Sequence, residues 1–221
     1  MKKTITGVLL SASALASIAA NATAPGMYIT GQLGYANTHM GSKIIYPSDV
    51  SAQNVSNNGM AGRVSLGYQF NPNLAVEAGY LQLNGKNKYY VADGATTPTK
   101  VSLGQHAVDV AIKGILPLQN FGEQGSLNLY GKLGVAYLNT TAWSADTNVG
   151  EHIKANIAHN KIAPEAAVGV NYAINRNVSV DASWTHIQPL GKQYISDAGG
   201  ANVQRPGNVD FVAVGLTYNF G

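Results

Sequence analysis

In Val212-Ala-Val-Gly-Leu-Thr-Tyr-Asn-Phe220-Gly221 every second residue is apolar: Val212, Val214, Leu216, Tyr218 and Phe220. Between them stand Ala213, Gly215, Thr217 and Asn219, which are small or polar. A period of two puts these sets on opposite faces of a β-strand. A strand with one greasy face ending in two aromatics fits the wall of a membrane barrel, with lipid outside and polar packing inside.

The same alternation recurs seven more times upstream. The first strand is predicted from about Gly26 to Ala36, with Met27, Ile29, Leu33 and Tyr35 on one face and Tyr28, Thr30, Gln32 and Ala36 on the other. A second, near Met60 to Phe70, turns Val64, Leu66, Tyr68 and Phe70 outward and Arg63, Ser65 and Gln69 inward. A third, Leu74 to about Leu83, sets Val76, Ala78 and Tyr80 against Glu77 and Gly79. The fourth, Val101 to Leu116, sets Val108, Val110 and Ile112 against Asp109 and Lys113. The fifth, Leu127 to Leu138, sets Leu129, Leu133, Val135 and Tyr137 against Tyr130 and Lys132. The sixth, Ile162 to Ala173, sets Val168, Val170 and Tyr172 against Glu165 and Asn171, with Pro164 marking fraying or an irregular start. The seventh, Val178 to His186, sets Val180, Ala182 and Trp184 against Ser179, Asp181 and Ser183.

Eight strands are an even number, and their connections alternate in length. Asn71-Pro72-Asn73, the stretch from Pro117 to Ser126, and Ile174-Asn-Arg-Asn177 are short turns. The stretches 37–59, 84–99, 139–161 and 187–207 read as long polar loops. Short turns at one end and long loops at the other are the pattern of an all-β, eight-stranded antiparallel up-and-down transmembrane barrel. Placing the short turns inward puts Tyr35, Tyr80, Tyr137 and Trp184 at the external membrane interface. It puts Tyr68, Phe70, Tyr172, Tyr218 and Phe220 at the internal one. Two aromatic girdles are expected of such a barrel, whereas a soluble β-sandwich has no reason to sort its aromatics this way.

Composition agrees. Of 221 residues only 11% are charged, Gly numbers 25, Tyr 12 and Cys none, and the mean hydropathy is near zero. Alternation averages apolar and polar residues in this way. No disulfide framework is possible. Lys2 and Lys3, the apolar stretch Ile5 to Ala20 and the site Ala20-Asn21-Ala22 read as a secretory signal peptide over 1–22, leaving a barrel domain over 23–221. Loss of Lys2 and Lys3 with the leader takes the formal charge from +3 to +1. The remaining basic residues are scattered, so nucleic acid is not an expected partner.

Ala75-Val-Glu-Ala-Gly-Tyr80, Val108-Asp-Val-Ala-Ile-Lys-Gly-Ile-Leu-Pro117, Leu129-Tyr-Gly-Lys-Leu-Gly-Val135 and the final strand carry a resemblance. Over its mature length the chain resembles the small eight-stranded outer-membrane barrels of Gram-negative bacteria, the OmpA-transmembrane, OmpX and opacity type. The resemblance implies export to the cell outer membrane, lipids and lipopolysaccharide as surroundings, and recognition of the last strand by the barrel-assembly machinery. Tyr218 and Phe220 correspond to that assembly signal, with Gly221 following where a terminal aromatic is usual.

The inward charges are Arg63, Glu77, Asp109, Lys113, Lys132, Glu165 and Asp181. Pairing of the fourth and fifth strands is expected to set Lys132 between Asp109 and Lys113, within diagonal reach. An eight-stranded barrel holds little besides side chains and buried charges need partners. These residues are therefore read as a plug, with a small porin-like channel for ions or small solutes as the alternative. A lipid A-modifying enzyme, the second alternative, needs Ser, His and an acid on the outer wall. Ser183 and Asp181 face inward and no outward acid is expected near His186, so no catalytic residue is assigned. His152 and His159, with Glu151 or Asp146, lack the spacing of a metal motif, and no metal or cofactor is expected. Tyr46, Tyr89, Tyr90, Trp143 and Tyr194 lie in the loops, where exposed aromatics suit contact with a host or matrix ligand. Lys86, Lys88, Lys100, Lys154 and Lys161 are placed to meet lipopolysaccharide phosphates. The expectation is a non-enzymatic barrel that supports envelope integrity and displays surface loops for adhesion or host interaction.

Overall fold

Period-two alternation becomes eight long strands in the computed structural model, which describes residues 25–39, 44–45, 52–53, 58–92, 98–121, 125–145, 152–153, 159–190, 195–196, 202–203 and 207–220. The leader expected over 1–22 lies outside the described residues. The wall strands are β1 (Gly26–Asn37), β2 (Asn58–Asn71), β3 (Leu74–Ala92), β4 (Pro98–Asn120), β5 (Ser126–Ala145), β6 (His159–Ala173), β7 (Val178–Ile187) and β8 (Val209–Asn219). Each pairs antiparallel with the next. β8 then pairs with β1, from Tyr28 opposite Asn219 to Asn37 opposite Asp210. The sheet is closed and no wall strand is left as an edge.

The stagger of this closure can be followed pair by pair. Met27 faces Tyr68, Tyr68 faces Val76, Val76 faces Ile112, and Ile112 faces Leu133. Leu133 faces Ala166, Ala166 faces His186, His186 faces Asp210, and Asp210 faces Asn37. One circuit therefore advances ten residues along β1. For eight strands that stagger corresponds to a tilt of about 40° and a bore filled by side chains. Ten residues separate the outward Leu127 and Tyr137 on β5. At about 3.3 Å per residue and that tilt they span roughly 25 Å, the height of an apolar barrel wall.

The outward faces carry Val, Leu, Ile, Met and the aromatic residues expected at the two interfaces, most of them exposed. The rings of Tyr68 and Phe70 and of Tyr218 and Phe220 meet edge to face, with centroids 5.1 and 5.2 Å apart. No helix among the described residues is long and apolar enough to cross a membrane. Crossing is by strands.

Three short connections hold the inner end. Asn71 Oδ1 accepts from Asn73 N at 2.9 Å, and Asn175 Oδ1 accepts from Asn177 N and Val178 N, the local bonds for which Asn is favoured in turns. Phe121 N donates to Gly125 O at 2.8 Å across the third. Gly125 has φ +113°, which only glycine adopts without strain.

At the outer end the strands run past the expected boundaries. The stretch 84–99, read as a loop, is mostly a hairpin: β3 and β4 pair as far as Ala92 opposite Pro98, beyond an irregularity between Leu83 and Asn87. β5 and β6 likewise continue to Ala145 and back to His159. Tyr80 and Tyr137 thus lie within strands that project beyond the girdle, not at their ends. Pro164 is not an irregular start. It lies inside β6 opposite Val135, and its carbonyl accepts from Gln188 N at 3.0 Å, just past the end of β7. The N–H it lacks falls where the ladder to β7 has ended, so the sheet loses little. The first long connection is tied to its neighbours: Ile44–Ile45 pairs with Asn202–Val203, and Ala52–Gln53 with Tyr90 and Val91.

Inside the wall, glycines make room for rings. A Cβ on Gly67 would fall on the Tyr28 ring, and Tyr28 OH donates to Glu77 Oε1 at 3.0 Å. Gly67→Val is expected to displace the ring from that bond and to cost about 1–3 kcal/mol as an overpacked core does. The midpoint of urea unfolding in detergent or vesicles measures it.

Candidate functional site: the barrel lumen

The inward residues form three layers. Nearest the long connections is an apolar cork of Leu81, Leu83, Leu138, Ile187, Val209 and Phe211, packed with alanines from neighbouring strands and fully buried. None of the six was expected to fill the lumen. Each continues the inward phase of its strand: Leu81 and Leu83 follow Glu77 and Gly79, and Val209 and Phe211 precede Ala213. The alternation locates them, but polar-in, greasy-out does not, because at this level the pattern is inverted: the outward neighbours Gln82, His186 and Asp210 are polar and the inward residues apolar.

Below the cork lie the seven charges, all buried. Arg63 Nη2 is paired with Asp109 Oδ1, and Glu165 Oε1 stands 3.8 Å from the same nitrogen. Gly79 of β3 lies between the strands that carry Arg63 and Asp109. A Cβ there would come within 2.7 Å of Asp109 Oδ2 and 2.8 Å of Arg63 Nε, so glycine leaves space for the pair. Glu77 serves two cations: Oε2 pairs with Lys132 Nζ, and Oε1 lies 3.2 Å from Lys113 Nζ. Asp181 Oδ2 accepts from Gln32 Nε2 at 2.7 Å and from Tyr130 OH at 3.0 Å. Arg63 Nε and Nη1 and both oxygens of Glu165 have no hydrogen-bond partner among the described residues.

The structure corrects the expected place of Lys132. It faces Lys113 directly across the β4–β5 ladder, and Asp109 faces Ala136. Two like charges in register are tolerable because Glu77, two strands from Lys132 around the wall, reaches both. Asp109 takes Arg63 instead.

The innermost layer is a vestibule of about 50 Å³ at the short-turn end, bounded by Tyr28, Lys113 and Tyr130 on the side of the ion network, with Gln69, Asn128 and Asn171 around it. Lys113 Nζ lies 4.4 Å from the centroid of the Tyr130 ring and 5.2 Å from that of Tyr28, within cation–π range.

On the outer wall the expected absence of an acid near His186 is also corrected. Register puts His186 opposite Asp210, and His186 Nδ1 is 2.8 Å from Asp210 Oδ1. Trp184 Nε1 donates to the same oxygen at 3.2 Å, and His39 Nδ1 lies 3.5 Å from Oδ2. Neither ladder neighbour of His186, Ala166 nor Asp210, carries a hydroxyl, so the acid–imidazole pair has no nucleophile directly across from it in the sheet. Among the described residues no group of three or more ligand-type side chains is arranged to hold a metal. His152 and His159, with Glu151 and Asp146, lie outside the side chains described, as do Tyr46, Tyr89, Tyr90, Trp143, Tyr194, Lys86, Lys88, Lys100 and Lys154. Lys161 is described, half-buried on β6.

Residues 22–221 match the OmpA-like transmembrane domain. Outer membrane protein A of Klebsiella aerogenes is 26% identical over 228 residues, covering 100% of this chain and 56% of that protein. The chain thus spans little more than half the length of that relative. A protein of Coxiella burnetii (strain RSA 493 / Nine Mile phase I), described as uncharacterized, is 25% identical over 230 residues, covering 90% of this chain and 87% of the other. A major outer membrane protein from Thermus thermophilus superposes with a TM-score of 0.55 at 13% identity, covering 89% of this chain and 100% of that one, and shares the fold. The protein is an outer-membrane β-barrel and belongs to the OmpA-like transmembrane domain family.

Proposed function

We propose that the protein is a non-enzymatic integral barrel that supports the envelope and displays its long connections for adhesion or host contact, with a lumen that does not conduct. The observation that carries this reading is the filled bore: the apolar cork lies directly above the buried ion network. An ion passing through would have to cross a section lined chiefly by apolar side chains, which is a dewetting barrier. The extended β3–β4 and β5–β6 hairpins support the display role, since a rigid ladder holds a connection clear of the membrane surface. Lipopolysaccharide is the expected neighbour of the external girdle, and Tyr218 and Phe220 are the expected signal for the barrel-assembly machinery during insertion.

One observation favours the channel alternative. Arg63 is shared between Asp109 and Glu165, and Glu165 is held only at 3.8 Å. Exchange of the arginine between the two acids would rearrange the network, although the cork would still have to open. Planar-bilayer recording on the purified, refolded protein separates the readings. The plugged barrel is expected to give no discrete conductance steps. Steps in the wild type that disappear in Arg63→Gln would overturn it in favour of an ion-pair gate.

A further inference from the structure

We propose that the vestibule at the short-turn end is a binding site for a small oxyanion that enters from the periplasmic side. Three observations converge on it. First, access is one-sided. Short turns face the periplasm in barrels of this kind, and the opposite end is closed by the cork of Leu81, Leu138 and Phe211. Second, among the described residues Lys113 is the one ionised side chain lining the cavity. Its side chain is 11% exposed, against 1–3% for Arg63, Lys132, Glu77, Asp109 and Glu165 in their ion pairs. Its carboxylate partner is shared: Glu77 also holds Lys132 and accepts from Tyr28 OH. Among the described residues the one charged side chain at the cavity wall is that of Lys113, since neither Glu77 nor Asp181, which accepts from Gln32 and from the lining Tyr130, is among the lining residues.

Third, the rest of the wall suits an oxyanion. Gln69, Asn128 and Asn171 bring amides to the wall, and Ser179 and Thr217 hydroxyls. Asn171 Nδ2 donates to Ser179 Oγ at 3.0 Å and the Thr217 hydroxyl is bonded to that of Thr30, which leaves the second Asn171 N–H and the Ser179 O–H for an anion. Among the described residues no carboxylate lines the space to repel an anion. A cavity of about 50 Å³ exceeds the roughly 10–15 Å³ that one water needs on the same measure. An anion with two or three oxygens directed at Lys113 and the amides replaces water with charge-assisted hydrogen bonds. The ligand class is a phosphate or a carboxylate; the two share this chemistry.

The site stands apart from the outer connections and from the question of conduction, so its failure leaves the proposed function intact. The test is titration of ¹⁵N-labelled protein in detergent micelles, once with inorganic phosphate and once with acetate, at ionic strength held constant with chloride. Saturable shifts of the Asn128, Asn171 and Thr217 amides are expected, and the anion that produces them at lower concentration names the class. Lys113→Gln is expected to weaken binding about ten- to a hundredfold, the worth of one hydrogen bond to a charged group. Asn171→Leu, which leaves the ion network untouched, is expected to weaken it as well. Heat-modifiable migration of each variant on gels establishes that the barrel is intact. No saturable shift with either anion, or equal affinity in wild type and Lys113→Gln, overturns the proposal.

Discussion

Replacing Glu77 with alanine is expected to lower the unfolding free energy by about 3–5 kcal/mol, the cost of leaving buried charges without their partner. Glu77 is the counter-charge for both Lys113 and Lys132 and the acceptor for Tyr28 OH. Its loss strands two ammonium groups, directly opposed across β4 and β5, where no other carboxylate among the described residues is paired with either. Glu77→Gln is nearly isosteric and still accepts a hydrogen bond, yet it is expected to recover only a minor part of the loss, because the missing quantity is charge. A triple replacement of Glu77, Lys113 and Lys132 by methionine removes all three charges and is expected to restore most of the stability, as apolar substitutes for buried ion networks do. Urea unfolding in lipid vesicles, followed by tryptophan fluorescence, measures all three. If Glu77→Ala unfolds within about 1 kcal/mol of wild type, the energetic role given to the network is wrong.

The second large effect lies on the other side of the wall. Leu133 is 72% exposed on the outer face, between Leu127 and Tyr137 on β5 and so near mid-height. Leu133→Arg is expected to cost about 2–4 kcal/mol in a bilayer, as a cation on the lipid face at the midplane does. The same change at Met60, which is also outward but beside the external girdle residue Tyr35, is expected to cost at most about 1 kcal/mol. Equal costs at the two depths would be inconsistent with a lipid-facing wall of this height.

These cases show what alternation reveals and what it hides. Sequence tells the phase of a strand, and in the lipid-facing section phase is enough. Val64, Val110, Leu133 and Val214 are outward, and Arg63, Asp109, Lys132 and Asp181 inward, because lipid on one side forces the contrast. Where that contrast fades, so does the signal. In Asn84 to Thr99 the sequence is polar and reads as loop, although Asn87 to Ala92 pair with Pro98 to Leu103. In Val209 to Phe211 and Leu81 to Leu83 the pattern is reversed, with Asp210 and Gln82 outward and the apolar residues inward, so a rule that turns apolar residues to lipid misplaces the cork. Phase also says nothing about position around the cylinder. Arg63 meets Asp109 two strands away, and Lys132 meets Glu77 two strands away. Those partners follow from stagger and bore, which only the complete set of registers supplies. The His186–Asp210 contact is a nearer miss: extending the hairpin register that sets Trp184 opposite Val212 reaches it in one step.

The join between β1 and β8 also governs how the protein can come into being. Thr30 bonds Thr217 across 187 residues of chain at 2.8 Å, so the contact that completes the cylinder is among the most distant in sequence. Pairings of such separation form slowly, since much of the chain must be ordered before they repay its loss of freedom. Through that interval the first strand waits with open N–H and C=O groups along one side. A half-made cylinder is therefore sticky and cannot rest stably in lipid. The molecule has no stable half: until β1 and β8 meet, both strands expose an unpaired side that must be shielded from other chains.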